Sequence, residues 1–184
     1  VPKRDVPSIV GPRTRLRPLN RDDLERTLAW RNRDDNRRWF LHSQPITWEQ
    51  HTRWFEAYSA RDDDFVFVVE DLSAGGVPVG QAALYRIDWT EGSAEFGRLL
   101  IGEPSARGRR LGQEITALLV DFGFRHWGLR RIHLEVFAHN QRAIGIYREC
   151  GFEDLGPRDD VVLMEAKRND WLNRGLADGL AQAS

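Results

Sequence analysis

The spacing of hydrophobic and polar positions changes several times along the chain, and each change marks an element. TRLRPL (Thr14 to Leu19) is short and reaches Pro18, so it can enter a sheet only as an edge or short strand. Asn20 can cap a helix carrying Leu24, Leu28 and Trp30 that runs to the NRDDN break. A second helix begins at Thr47, where Thr47 and Gln50 form a T-x-x-Q capping box followed by Trp48, Trp54, Phe55 and Tyr58. The period then shortens. DFVFVVED (Asp64 to Asp71) and VPVGQAALYRID (Val77 to Asp88) predict two strands joined by the turn LSAGG, and SAEFGRLLIG (Ser93 to Gly102) predicts a third. From Leu111 the helical period returns, with Ile115, Leu118, Leu119 and Phe122 on one face to about Arg125. Ile132, Leu134 and Val136 alternate within a strand from Arg130 to Phe137. Asn140 to Glu149 predict a short helix that leaves at Gly151, and Asp159 to Lys167 a final strand. The tail, residues 169–184, has some helical periodicity but is broken by glycines, and it receives no role. The pattern is that of a mixed α/β protein with a single domain over residues 1–184 and a core over 12–168.

Composition narrows the function. The 184 residues suit one domain, and 41% hydrophobic with 30% charged residues is an ordinary globular balance. The 27 basic and 28 acidic side chains leave a formal charge of -1, so no global field marks a nucleic-acid or membrane-surface binder. A single cysteine, Cys150, excludes an internal disulfide framework and a cysteine-rich zinc site. No apolar run reaches the ~18 residues of a membrane span. A cytoplasmic protein, monomeric or homodimeric, is expected.

The stretch ARGRRLG, residues 106 to 112, carries the first chemical signal. It places Gly108 and Gly112 among Arg107, Arg109 and Arg110, between a predicted strand and the start of a helix. Exposed N–H groups and the positive end of a helix dipole converge there on one point, which suits an anion such as a pyrophosphate. The ATP-type loop G-x-x-x-x-G-K-[ST] is absent, and G-x-G-x-x-G fails for want of a third glycine in register. His126, His133 and His139 lack the spacing of a metal pair, and Asp62 to Asp64 lack a calcium-loop ladder, so no metal is expected.

AEFGRLLIGEPSARGRRLGQEITALLVDFGF, followed by RIHLEVFAHNQRAIGIYRECGF, resembles in order and spacing the two core motifs of the GCN5-related N-acetyltransferases (GNAT). That family's loop, Arg/Gln-x-x-Gly-x-Gly/Ala, falls on Arg107, Arg110 and Gly112, with Arg110 standing where the middle glycine is usual. Asn140, Ala143, Tyr147, Gly151 and Phe152 keep the spacing of the second motif. The resemblance implies a mostly antiparallel sheet, splayed between the strand at Glu95 to Ile101 and the strand at Arg130 to Phe137. It also implies acetyl-CoA as cosubstrate, with its pantetheine arm lying in the gap. Backbone groups of Leu99, Leu100 and Ile101 would then hold the acetyl carbonyl and upper arm, and Asn140 would hydrogen-bond the arm. Arg107, Gly108, Arg109, Arg110, Leu111 and Gly112 would hold the pyrophosphate. For Arg110 this requires helical dihedrals and an outward guanidinium.

Acetyl transfer to an amine needs a neutral nucleophile, a donor to the developing oxyanion and a proton for the departing thiolate. Tyr147 resembles the family's general acid, and it can alternatively be core packing. Glu95 is the candidate base, acting directly or through water; it can instead anchor a substrate ammonium. The acceptor is a small-molecule amine. Trp30 to Asn32, the H-x-x-W-F at His51 to Phe55, and IGE after the third strand look most like the nucleotide-linked amino-sugar acetyltransferases. Arg31 would pair with a phosphate and Trp54 would stack on a sugar or base, with Asn32 and His51 beside them. Ribosomal-type protein N-termini and polyamines are the alternative acceptors. A non-catalytic acyl-CoA sensor is the alternative of another class.

Overall fold

The computed structural model describes residues 2–40 and 42–175. Eight strands form one sheet in the order β1-β2-β3-β4-β5-β6-β8-β7. They are β1 (Ile9–Val10), β2 (Thr14–Pro18), β3 (Asp64–Asp71), β4 (Val77–Asp88), β5 (Ser93–Ile101), β6 (Arg131–Phe137), β7 (Glu153–Arg158) and β8 (Val161–Lys167). The helices are α1 (Leu24–Asn32), α2 (Asp34–Arg37), α3 (Trp48–Ser59), α4 (Leu111–Arg125), α5 (Gln141–Glu149) and α6 (Arg168–Asn173).

Alternation along the central strands builds two cores on opposite faces. Phe67, Val69, Leu84, Phe96, Ile132 and Leu134 face α4 and α5, where Ile115, Leu119, Phe124 and Ile144 are buried against them. Val66, Val68 and Ala83 face the other way, against Tyr58, Trp54 and Phe55 of α3. The front of β6, β8 and β7 carries His133, Glu135 and Glu165, each only half-buried. Sequence and structure agree on the capping of α3: Thr47 accepts from the Gln50 N–H while Gln50 accepts from the Thr47 N–H.

Several elements differ from expectation. Asn20 caps a 3-10 turn, Arg21–Asp23, before α1 begins, because Asp23 turns back to accept the Asn20 N–H at 3.0 Å. β2 is the short strand of the two alternatives and not the edge: the two residues of β1 cover it, and Pro18 tolerates the place at its end opposite Phe67. β7 adds a strand after Gly151. The start of the tail has a role after all: α6 carries Trp171, 2% exposed, against Phe124, and its Nε1 donates to Asp121 at 2.9 Å. Residues 176–184 of the tail lie outside the described residues.

The feature that makes a site is the seam between β5 and β6. These strands run parallel and pair only at Ser93 with Arg131, Ala94 with Ile132, and Glu95 with His133. Beyond Glu95 they part. Among the described residues every other strand pair is antiparallel.

Candidate active site

The open edge of β5 forms one wall of the cleft. A register shift between β4 and β5 surrounds Arg98, whose φ is 53°, and restarts the alternation of the strand. After it the Leu100 carbonyl faces β4, so close that a Cβ at Gly80 would lie 2.2 Å from its oxygen. The Ile101 carbonyl faces the other way and accepts from Arg107 Nε at 3.3 Å. Three consecutive backbone groups therefore do not all turn to the cleft. Leu100 is committed to the sheet, and Leu99 and Ile101 carry the edge.

The loop that follows is built as a cradle of main chain. Gly108 has a φ of 76° and Arg110 one of 60°, so the position expected to be helical is instead left-handed. This explains why glycine is usual there in the family the loop resembles, and it corrects the expected dihedrals. The other half of the expectation holds: the Arg110 guanidinium points outward, bonding Gln113 at 3.0 Å and Glu149 at 3.1 Å. Arg107 and Arg109 also turn away, Arg107 to Asp35 and Asn36, and Arg109 to Asp71 and Ser73. The three cations thus fasten the loop from outside, and its interior is lined by N–H groups.

Arg110 sits at the N-cap of α4 without a side-chain cap, which leaves the Leu111 and Gly112 N–H groups for an anion while that of Gln113 bonds the Arg110 carbonyl at 3.2 Å and the Leu111 side chain is buried in the core. Gly112 adds no bulk, since a Cβ there would touch only Leu99 at 3.8 Å. The donor set fits a pyrophosphate. Buried Glu114 holds this helix start in place by accepting from the Thr14 N–H at 2.9 Å, Thr14 Oγ1 at 2.8 Å and Arg13 Nε at 2.8 Å. A surface cavity of about 270 Å³ opens beside the loop, between Arg110, Gln113, Arg142 and Glu149.

Across the cleft, Asn140 spends its Oδ1 capping α5 at the Ala143 N–H, 3.2 Å away, so only its Nδ2 remains for a ligand. Tyr147 packs edge-on to Phe96 at 6.0 Å and to Phe152 at 5.9 Å. Burial, with the neighbouring Cys150 adding to it, pushes the Tyr147 phenol well above its ordinary range. Burial likewise raises the Cys150 thiol to about 12, the conduct of a packed thiol and not of an acyl carrier.

Glu95 lies at the end of the seam, 7% exposed, and both its oxygens are engaged. Oε1 accepts from the Tyr85 hydroxyl at 2.6 Å and Oε2 from Arg86 Nη1 at 2.8 Å. His133, opposite in register, has its Nε2 4.0 Å from Oε2. Arg98 lies over the Tyr85 ring at 4.3 Å and pairs with Asp64 at 2.6 and 3.0 Å. Trp54 borders this cluster, 5.9 Å from Arg98 and stacked on Tyr58 at 5.1 Å. Tyr85, Arg86, Arg98 and His133 were not singled out as site residues from the sequence, because what joins them to Glu95 is strand register and a bulge.

Of the acceptor residues read from sequence, only Trp54 reaches this cluster. Arg31 donates through Nη2 to the His42 carbonyl and lies over Phe40 at 4.4 Å, away from the Glu95 cluster, while its Nη1 is buried without a hydrogen-bond partner among the described residues. Asn32 clamps the chain at Ile46 with bonds of 2.7 and 2.9 Å. His51 is buried, 3.0 Å from Thr27 Oγ1 and stacked on Trp54. These two are structural. Among the described residues no group of three metal-ligating side chains occurs, and no helix is long and apolar enough to cross a membrane.

A model of the acetyltransferase (GNAT) domain matches residues 13–153. The spermidine N(1)-acetyltransferase of Vibrio cholerae is 30% identical over 172 residues, covering 86% of this chain and 95% of that protein. That of Escherichia coli K12 is 28% identical, covering 77% of this chain and 74% of its own. An uncharacterised protein of Methanocaldococcus jannaschii is 24% identical over 158 residues, and the match spans only 30% of its length. Among solved structures, the Vibrio cholerae spermidine N-acetyltransferase in complex with CoA and spermine superposes with a TM-score of 0.80. It is 26% identical and covers 88% of this chain and 99% of that one. A dodecameric structure of the Vibrio cholerae enzyme has a TM-score of 0.73 at 25% identity, covering 88% of this chain and 98% of that one.

Proposed function

This chain belongs to the GNAT family of acetyltransferases, acetyl-CoA-dependent N-acetyltransferases, and from that premise we propose that its acceptor is a primary amine of a polyamine. The observation that carries the choice of acceptor is the 30% identity to a spermidine acetyltransferase over 95% of that protein's length. The structure supports it from the other side. Arg31, donating through Nη2 to the His42 carbonyl and lying over Phe40, stands away from the Glu95 cluster where the amino-sugar reading would want its phosphate cation.

When bound, acetyl-CoA supplies an acyl group activated as a thioester. The N–H groups from Gly108 to Gly112 would hold its pyrophosphate, and the open edge at Leu99 and Ile101, with Asn140 Nδ2 opposite, would hold its arm. A protonated amine must lose a proton before it can attack. Glu95, which accepts from Tyr85 and Arg86, faces the seam and is placed to hold positive charge there. His133, half-exposed and opposite in register with its Nε2 4.0 Å from Glu95 Oε2, is placed to receive that proton. Tyr147, which burial keeps protonated, donates a hydrogen bond to the thiolate as it leaves.

Thiol release from acetyl-CoA, measured with spermidine, spermine, putrescine, an amino-sugar nucleotide and a peptide with a free N-terminus, tests the proposal. A polyamine with kcat/KM about tenfold above the other classes supports it. Preference for the sugar nucleotide or the peptide reassigns the acceptor. Saturable acetyl-CoA binding without thiol release from any amine overturns the enzyme in favour of a binding module.

A further inference from the structure

Arg107 opens the phosphate-binding loop, yet its side chain reaches away from it. Its Nη1 lies 2.6 Å from Asp35 Oδ2, its Nη2 2.9 Å from Asn36 Oδ1 and its Nε 3.3 Å from the Ile101 carbonyl. The acceptors on the far side are themselves fixed. Asn36 is 4% exposed and donates to the Trp30 carbonyl at 2.8 Å. Trp30 donates its Nε1 to Glu103 at 2.7 Å and lies so close to Gly102 that a Cβ there would sit 2.2 Å from its ring. Arg107, with Arg33 second, holds the Asp35 carboxyl down to about 2, so the partner stays an anion at any working pH.

The same stretch of chain is attached at its other end to the opposite wall of the cleft. Trp39 stacks on His139 at 5.8 Å, and His139 stacks on Phe137 at 5.2 Å. Ile101 ends β5 and Phe137 ends β6, the two strands that part beyond Glu95. Residues Asp34 to Trp39 therefore span the cleft from lip to lip, tied to one by a guanidinium fork and to the other by stacked rings.

We propose that Arg107 is a positioning residue that anchors this bridge, and with it the turn that Asn32 clamps to Ile46 ahead of α3 and Trp54 on the acceptor side, and that its side chain is not a ligand of the cofactor's phosphates. Asp35, Asn36 and the Ile101 carbonyl occupy its three nitrogens, and a diphosphate would have to displace a carboxylate to reach the guanidinium. The planar fork matters, since an ammonium cannot meet two acceptors and a carbonyl in one plane. The inference rests on the site being that of an acetyl-CoA-dependent transferase.

The test uses Arg107→Gln, Arg107→Lys, Asp35→Asn and the Arg107→Gln/Asp35→Asn double variant of the full chain. Three readouts are taken: calorimetric Kd for acetyl-CoA, steady-state KM for the acceptor, and amide exchange over residues 33–40. Asp35→Asn leaves the loop arginine in place and alters only a half-buried partner isosterically, so it keeps the test valid should Arg107→Gln fold poorly. The expected result is an acceptor KM raised about tenfold by each single variant, with no rescue by lysine and no further loss in the double variant. Exchange over 33–40 quickens, and Kd for acetyl-CoA stays within about threefold. Arg107→Gln weakening acetyl-CoA more than tenfold while Asp35→Asn leaves the acceptor KM unchanged overturns the proposal and makes Arg107 a phosphate ligand. If the unaltered protein shows no acetyl-CoA binding, the transferase reading fails; the exchange data still report separately on the bridge.

Discussion

Tyr147 shows how much one environment decides. Its spacing from Asn140 and Gly151 is visible in the sequence, but its burial against Phe96 and Phe152 is not, and burial sets its chemistry. A phenol raised by desolvation gives up its proton to a thiolate of ordinary pKa, ~8.5, only uphill, so a hydrogen bond is what it offers. Tyr147→Phe should lower kcat by about ten- to a hundredfold and leave the calorimetric Kd for acetyl-CoA unchanged; a variant with full kcat would remove Tyr147 from the chemistry. His51 gives a prediction of another kind. Burial, against a smaller opposing effect from the Leu24 backbone, holds the imidazole below its ordinary value of 6.5. The unfolded chain then binds the proton more readily, so stability rises with pH through this range and is lost as pH falls below about 6.5. The unfolding midpoint in denaturant should fall between pH 7 and 5 more steeply in the parent than in His51→Gln. Equal slopes would contradict the assignment. Arg31 and Glu95 show what the sequence leaves open: a residue type suits a ligand, and only the fold shows which neighbours already engage it.

The turn into α4 carries the analogous lesson for elements. Its strand–loop–helix order is legible, and so are the strands β3 to β6 and the helices α3 to α5, because each has a regular period and a recognisable stop. The two-residue β1 and the six-residue β7 are too short or too irregular to show a period, and α6 lies in a tail whose weak helical period is broken by glycines; strand pairing and packing hold them. Left-handed dihedrals at Arg110 are likewise invisible in sequence; they cost a non-glycine residue about 1 kcal/mol. The neighbours maintain them: Arg13 Nη1 donates to the Arg109 carbonyl at 2.8 Å, and Arg109 is pinned to Asp71 and Ser73. The Arg110 side chain itself makes only exposed contacts, worth little. Arg110→Gly should accordingly leave stability unchanged within about 1 kcal/mol, whereas Arg110→Val, β-branched at a positive φ, should cost about 1–2 kcal/mol more. Denaturant midpoints compare the two, and equal losses would mean that the side chain and not the backbone governs the turn.

For the molecule as a whole, the three-rung seam at Ser93–Glu95 joins two antiparallel leaves, β1 to β5 and β6 with β8 and β7. Within the first leaf each strand pairs with its neighbour in the chain, and in the second β7 and β8 form a hairpin. The seam closes over α4, as β2 on β3 closes over α1 to α3, but with three rungs against their five. Closing it costs loop entropy and returns few hydrogen bonds, which makes it the last pairing to form and the first to open. Native-state exchange should find the amides that cross from Ser93–Glu95 to Arg131–His133 opening at a lower free energy than those of Val66–Val69; protection equal to the global value would refute this. The gap that admits a ligand is thus also where the folding reaction ends, and a ligand that binds both leaves at once would slow the first step of unfolding.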